Sequence, residues 1–309
     1  MRTIRGPNDN HPAVRYDRVQ RLVAAALKRR VVIAFALTAL ALRLATLTWG
    51  AGLGPYDGMY YPDEWGVWGS AQNFPGNYLT NQSFLHGTAL QYVVGALLIP
   101  IKAWWEAGEP LIHGMNYAQF VLLSVRMAHV LLGALAVLLV YRLGKMLFDR
   151  ATGLLAGALV AVSFYHVLTS AFTTLDVPAS FFVLLTIILG ARAARSGRWR
   201  DFAWLGVSAG LLLATRITVA LAFVPVAVVL AFQLALPRTG DVAPRSGEPS
   251  DEESAPPPGR GVLLLGAGVA AAAALLVFVV AMPHVILYPR GFLSAVSGQA
   301  AGAASSIAT

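Results

Sequence analysis

The sequence predicts an all-α membrane protein: a multi-pass transmembrane helical bundle of about seven spans with a jaw segment, a helix on the non-cytoplasmic surface after span one. Composition predicts the membrane class, since 57% of the 309 residues are hydrophobic and only 12% are charged. The order of residues supports it, because long apolar runs alternate with short basic stretches. The net charge of +8 therefore fits a positive-inside membrane protein better than a nucleic-acid-binding protein. The absence of cysteine excludes disulfides, thiolate metal sites and a cysteine nucleophile.

The predicted spans follow from the lengths of the apolar runs. Residues 1–30 read as a basic cytoplasmic N-terminus, and 31–49, with the single charge of Arg43, can cross a hydrocarbon core of ~30 Å as a helix. At ~1.5 Å per residue, 202–236 would form a helix of ~52 Å, so we predict two short spans that turn near Arg216. The remaining spans are predicted at about 119–141, 152–170, 178–191 and 261–282.

The sidedness depends on residues 89–105 (ALQYVVGALLIPIKAWW), the jaw segment, which are apolar but short and end in a tryptophan pair typical of a membrane interface. If they lie on the surface, more Lys and Arg fall on the cytoplasmic side than if they cross, so we predict the surface position. The predicted units are then the transmembrane domain 31–236 with its outer loop 50–118, a disordered cytoplasmic linker 237–260, and 261–309 as the last span with an outer C-terminal tail.

Two acidic candidates fall on the predicted non-cytoplasmic side. Asp63 and Glu64 form a pair behind Tyr61 and Pro62, shortly after the first span, and are either a solvated acidic turn or functional carboxylates near the headgroups. Asp176 lies between two spans, where it is either a helix N-cap before Val177-Pro178 or a residue that faces a cleft. Both interpretations stay open for each candidate.

Three basic candidates fall on the same predicted side. Arg216 lies within a long apolar stretch, where it forms an ion pair, extends to the interface, or clamps a phosphate or carboxylate. His86 and His284 are either surface or helix-start residues or parts of a site. Asp63, Asp176 and His86 are also candidate ligands of a divalent metal, although the sequence lacks the close ligand spacing typical of a metal site.

Taken in order along about residues 31–295, these residues resemble the C-type membrane glycosyltransferases, in the branch that contains protein O-mannosyltransferases and the lipid A aminoarabinose transferase. The likeness rests on the order of several weak patterns rather than on one specific motif. These are Asp63-Glu64 after the first span, His86 opening the segment to Trp105, Arg126 in a span that ends at Tyr141 to Lys145, Asp176-Val177-Pro178, Thr215-Arg216-Ile217-Thr218, and Pro283 followed by Tyr288 to Phe292.

The resemblance implies an inverting enzyme that moves a sugar from a polyprenyl-phosphate donor to a hydroxyl or phosphate acceptor, on a protein or glycolipid, at the outer face. The expected location is the plasma membrane, with a bacterial inner membrane as the predicted setting. By carry-over, Asp63 is the general base, Glu64 supports it, and Asp176 orients the acceptor or holds a metal. The residues expected to bind the lipid phosphate or sugar are His86, Arg216, Tyr61, Arg126 and His284.

Two departures from the relatives stand beside this resemblance. The chain has His86-Gly87-Thr88 where many relatives have His-Pro-Pro or Lys-Pro, and it stops at Thr309 without their later spans, which predicts a C-terminally truncated relative or one fragment of a split gene. The alternative functions are a transporter or flippase for a lipid-linked sugar, in which the same charges bind cargo, and an inactive truncated relative.

Overall fold

A computed structural model of the chain describes a helical protein. The described residues contain no β-strand, which agrees with the predicted all-α class. They are 30–51, 64–81, 84, 87–108, 112, 114–217, 227–228, 231 and 258–307, with the backbone alone for 299–307.

The helices follow the apolar runs of the sequence closely. In chain order they are α1 (30–44), α2 (Glu64–Gln72), α3 (Ala89–Glu106), α4 (Tyr117–Leu147), α5 (Arg150–Val162), α6 (Phe164–Ala171), α7 (Asp176–Ser196), α8 (Trp199–Thr215), α9 (Arg260–Ala281), α10 (His284–Leu287) and α11 (Pro289–Ile307). The last of these occupies residues for which the sequence predicted only a tail.

Among the described residues, three helices are long and apolar enough to cross a membrane, namely α4, α7 and α9. The pair α5 and α6 would add a fourth span if the two helices, bent by 56°, count as one. α8 stops at Thr215 and Arg216 is extended, which agrees with a turn near Arg216, but most of the second predicted short span, up to 236, lies outside the described residues. The total of about seven spans stays a prediction.

Local signals explain where the central helices begin and end. Asn116 and Gln119 form a reciprocal capping box at the start of α4. At its other end, the side chain of Asp149 accepts a hydrogen bond of 2.7 Å from the backbone N–H of Thr152 and caps α5. Gly197 adopts a left-handed conformation with φ of 63°, which ends α7 and allows α8 to begin two residues later.

The break between α5 and α6 is supported by Arg43 of α1. Because α5 ends at Val162, the carbonyls of its last turn lack helical partners. The Arg43 guanidinium donates to the carbonyls of Ala161 and Val160, each at 3.3 Å. In a hydrocarbon environment such partners are needed, so a side chain from another helix permits the bend.

Glycines allow the helices to come into close contact. A Cβ added to Gly206 would lie 2.3 Å from the carbonyl oxygen of Ala270, and one added to Gly210 would lie 2.5 Å from that of Ala274. In α5, a Cβ added to Gly153 would lie 2.5 Å from the carbonyl oxygen of Tyr141. The close contacts of α8 with α9 and of α4 with α5 therefore depend on glycine, which has no side chain, at these positions.

Long-range contacts gather several chain segments at one end of the bundle, which we call the site end. The segments before α3, after α8 and after α9 meet there, because Gly87 N–H donates to the carbonyl of Thr215 at 3.1 Å and the Thr88 hydroxyl donates to that of Ala281 at 2.9 Å. At the far end of α3, the ring of Trp105 lies edge-on to that of Tyr117 in the first turn of α4. The jaw role of α3 and its position on a membrane surface stay predictions.

Candidate functional site

A fully buried ion pair joins α2 to α4 at the site end. Arg126 donates from Nε to Oε1 of Glu64 at 2.9 Å and from Nη2 to Oε2 at 2.7 Å, and both side chains are 0% exposed. This two-point geometry is the strong form of an arginine–carboxylate contact. Glu64 is therefore held in one orientation within the protein.

The other donors of Arg126 are also occupied. They bind the carbonyls of Leu47 at 3.1 Å, Trp49 at 2.7 Å and Gly50 at 3.2 Å, in the turn that follows α1. All five guanidinium N–H groups thus have partners within the chain. The contacts tie the end of α1 to the interior of α4, and they leave Arg126 without a free donor for a ligand in this structure.

The same carboxylate holds the loop between α6 and α7. Oε1 of Glu64 accepts a hydrogen bond of 3.1 Å from the backbone N–H of Thr173. Next to it, the ring of Phe172 packs 5.6 Å from the guanidinium of Arg126 and 5.6 Å from the ring of Trp49. The segment that starts at Glu64 is therefore fixed against the loop that leads to Asp176.

A second ion pair lies on the surface of the same end. Nη1 of Arg216 donates to Oδ1 of Asp176, and the side chains are 39% and 47% exposed. The predicted N-cap role of Asp176 is wrong, because Leu175 holds the N-cap position and Asp176 begins α7 with its carboxylate directed to Arg216. For Arg216, the predicted ion pair is confirmed. Exposure leaves both groups accessible to a ligand.

The second pair borders a groove of about 460 Å³, which we call the α7 groove. Its walls come from α4, α5, α6 and α7 and are largely apolar. The polar residues that line it are His166, Asp176, Ser180 and Arg216, and the apolar ones are Ala136, Val140, Val160, Ala179, Val183 and Leu184. Such a groove suits an amphipathic ligand with a polar head and an apolar chain.

His284, predicted to bind substrate, lies in α10 at the site end. It is 0% exposed, its ring packs 5.6 Å from that of Phe84, and neither ring nitrogen has a hydrogen-bond partner among the described residues. Burial lowers the pKa of His284 below its ordinary value, because the charged imidazolium loses its hydration. The neutral ring is thus the favoured form here.

Three predicted site residues, Asp63, Tyr61 and His86, lie outside the described residues. Of the other five, Glu64 and Arg126 bind each other, Asp176 and Arg216 bind each other, and His284 is in α10, where its ring contacts that of Phe84. In the part of the chain that the structure describes, no group of three His, Asp or Glu side chains could hold a metal ion.

Sequence reasoning did not find the contributions of Thr173 and His166. Thr173 acts through its backbone N–H, which any residue except proline would supply, so no side-chain signal marked it. His166 gave a detectable signal, since an ionisable residue inside a predicted span is costly and often functional. That signal was available in the sequence.

Comparison with known proteins supports the predicted resemblance. Residues 113–239 match the family model described as dolichyl-phosphate-mannose-protein mannosyltransferase. The matched segment includes Arg126, Asp176 and Arg216, and it does not reach Asp63 or His284. No curated protein gives a significant match to the chain. Residues 113–239 are thus similar to the dolichyl-phosphate-mannose-protein mannosyltransferase family, which supports the resemblance to the C-type glycosyltransferases that the order of the residues predicted.

Proposed function

We propose that the chain is an inverting glycosyltransferase that moves a sugar from a polyprenyl-phosphate donor to a hydroxyl or phosphate acceptor, on a protein or glycolipid, at the non-cytoplasmic face. The family match supports membrane glycosyltransferase chemistry in general. The donor, the stereochemistry and the side of the membrane belong to this proposal, as does the setting in a bacterial inner membrane.

One contact carries the proposal furthest, the hydrogen bond from the Thr173 backbone to Glu64. It joins the segment of the acidic pair to the loop that precedes Asp176. Asp63, which lies outside the described residues, is the chain neighbour of Glu64, and we propose that it acts as a base together with the Asp176–Arg216 pair. An inverting displacement needs this combination: a carboxylate on the acceptor side of the sugar and positive charge near the leaving phosphate.

In this proposal the residues divide into reacting and positioning groups. Asp63 deprotonates the acceptor, Asp176 orients it, and Arg216 with His86 stabilises the charge that develops on the departing lipid phosphate. Glu64 and Arg126 are positioning residues, because their polar atoms are buried against each other and the backbone. Tyr61 and His284 complete the proposed binding surface, and a divalent metal remains a candidate partner of Asp63, Asp176 and His86.

The test is sugar transfer by the full chain in nanodiscs, with a panel of radiolabelled polyprenyl-phosphate sugars as donors. Asp63→Asn is compared with Asp149→Asn, because Asp149 is an exposed helix cap beyond the opposite end of α4. Transfer that disappears in Asp63→Asn while donor binding persists supports the proposal. Donor binding without transfer by the native chain favours a carrier or an inactive relative, and absence of donor binding refutes a donor site.

A further inference from the structure

A buried cation next to the α7 groove has no acidic partner among the residues that the structure describes. Arg43 is 0% exposed, and Nη1 donates to the carbonyls of Ala39 at 2.8 Å and Ala161 at 3.3 Å. Nη2 donates to the carbonyl of Val160 at 3.3 Å and to Nδ1 of His166 at 2.9 Å. Within the described part of the chain, no carboxylate lies within ion-pair distance of it. A charge in a membrane interior is costly, so an anion nearby would be stabilised.

The contact with Arg43 fixes the hydrogen position on His166. A guanidinium can only donate hydrogen bonds, so Nδ1 of His166 must accept and carries no hydrogen. The neutral ring therefore has its N–H at Nε2. The Ser170 hydroxyl leaves this arrangement intact, because it donates to the His166 carbonyl at 2.6 Å.

His166 is one of the residues that line the α7 groove. Its Nδ1 is occupied by Arg43, and no hydrogen bond joins its Nε2 to another described residue, so the Nε2–H is the ring donor left for a ligand. Because Arg43 pulls electron density toward Nδ1, the Nε2–H is a stronger donor than that of an isolated imidazole. A hydrogen bond from Nε2 to an anion would therefore be strengthened by the positive charge of Arg43 on the other side of the ring.

We infer that the α7 groove binds the phosphate of a polyprenyl phosphate, with the Nε2–H of His166 as a donor to a phosphate oxygen and Arg43 as the residue that positions it. The choice of lipid rests on the proposed function. Charge complementarity supports a phosphate, since Asp176 pairs with Arg216 at the groove, while Arg43, which contacts His166, has no carboxylate partner among the described residues. The apolar walls along α7 suit the isoprenoid chain.

The experiment measures binding of polyprenyl phosphate and of the phosphate-free polyprenol of equal length to the full chain in phosphatidylcholine nanodiscs. The variants are His166→Phe, which removes the donor, and His166→Gln, which retains an N–H donor. Tyr165→Phe is the matched control, because Tyr165 is the exposed neighbour of His166 and its ring does not line the groove.

We expect His166→Phe to weaken binding of polyprenyl phosphate by about tenfold or more, the loss typical of a hydrogen bond to a charged group. His166→Gln should recover part of this affinity, while polyprenol binding and Tyr165→Phe should show no change. In ¹⁵N-histidine NMR spectra, the resonance of Nε2 should shift when polyprenyl phosphate binds. Arg43→Met should convert the single tautomer of His166 into a mixture.

The inference is overturned if His166→Phe binds polyprenyl phosphate as tightly as the native chain does, or if phosphatidylglycerol competes equally well for the site. Loss of fold in Arg43→Met leaves the His166 variants as the deciding measurement. The transfer assay with Asp63→Asn separates the two proposals. Native transfer with an unaffected His166→Phe variant refutes only the groove assignment, whereas phosphate binding that depends on His166 without any transfer refutes only the enzyme.

Discussion

Replacement of Glu64 by Gln changes few atoms, but we expect it to lower the free energy of unfolding strongly. The variant keeps the shape of the side chain and leaves the fully buried Arg126 without its anion. Loss of one partner from a buried ion pair typically costs about 3 to 5 kcal/mol, because the remaining charge stays desolvated. The hydrogen bond from Thr173 can persist, since an amide oxygen still accepts it. We therefore expect the free energy of unfolding to fall by roughly 3 kcal/mol or more.

The matched control is Glu106→Gln, the same chemical change in an exposed pair. Glu106 lies 4.0 Å from Lys102, and the two side chains are 69% and 37% exposed, so this variant should cost less than about 1 kcal/mol. The assay is reversible denaturant unfolding in detergent micelles, followed by tryptophan fluorescence. A double variant with Arg126→Met should recover part of the loss, because it removes the stranded charge. If Glu64→Gln proved no more destabilising than Glu106→Gln, the argument for a buried, charged pair would be refuted.

Three further predictions follow from packing and burial. Gly206→Leu should lower the free energy of unfolding by about 1 to 3 kcal/mol, because the leucine side chain would collide with α9. Gly268→Leu should be tolerated, because the space around a Cβ at 268 is open, and equal shifts of the unfolding temperature in the two variants would contradict the glycine contact. Gly87→Ala should lower thermal stability more than Gly76→Ala does, because a Cβ at 87 would lie 2.0 Å from the carbonyl of Ala214 but one at 76 no closer than 3.4 Å to another atom. Burial lowers the pKa of His284, so stability present above the ordinary value of ~6.5 should be lost as pH falls through and below that value. Unfolding temperatures at pH 7.5 and 5.5 should therefore differ less in His284→Gln than in the native chain, and an unchanged difference would remove His284 as a cause.

The lengths of apolar runs predicted much of the helical framework. The sequence placed spans at 119–141, 178–191 and 261–282, and α4, α7 and α9 occupy these regions with ends that differ by a few residues. Such runs are read locally, since each span must satisfy its own backbone in an apolar solvent. The break after α8 was predictable for a related reason, because a single helix over 202–236 would be longer than a bilayer is thick.

The features that local patterns did not predict are pairings between distant segments. Glu64 and Arg126 lie 62 residues apart, and neither residue alone indicates its partner. The bend between α5 and α6 lies inside one continuous apolar run, and Arg43, which binds the carbonyls at the bend, comes from a different helix. Asp176 lies at the start of a helix, as predicted, but its carboxylate accepts from Arg216 instead of capping the helix. Local patterns in a single sequence identify such residues but do not indicate which distant residues they contact.

Gly87 occupies a position at which the resemblance to the C-type membrane glycosyltransferases leads one to expect proline. Position 87 needs a residue with a backbone N–H, because that group donates to the carbonyl of Thr215. It also needs one without a side chain, since the carbonyl of Ala214 would lie 2.0 Å from any Cβ. The segment before α3 is therefore attached to the end of α8 by its backbone, and proline is incompatible with this attachment.

The contacts of Arg43 also constrain how the chain is assembled during synthesis. If α1 is the first membrane span, as predicted, Arg43 enters the membrane with it, yet its distant carbonyl partner at Ala161 is 118 residues further along the chain. At about 5 to 20 residues per second, that partner is made roughly 6 to 24 s later. During this interval the guanidinium is expected to stay near a headgroup or the insertion machinery, and the first helix can reach its final position only when the fifth is complete. The opposite holds for Arg126, whose partners at Leu47 to Glu64 have already been synthesised when it emerges.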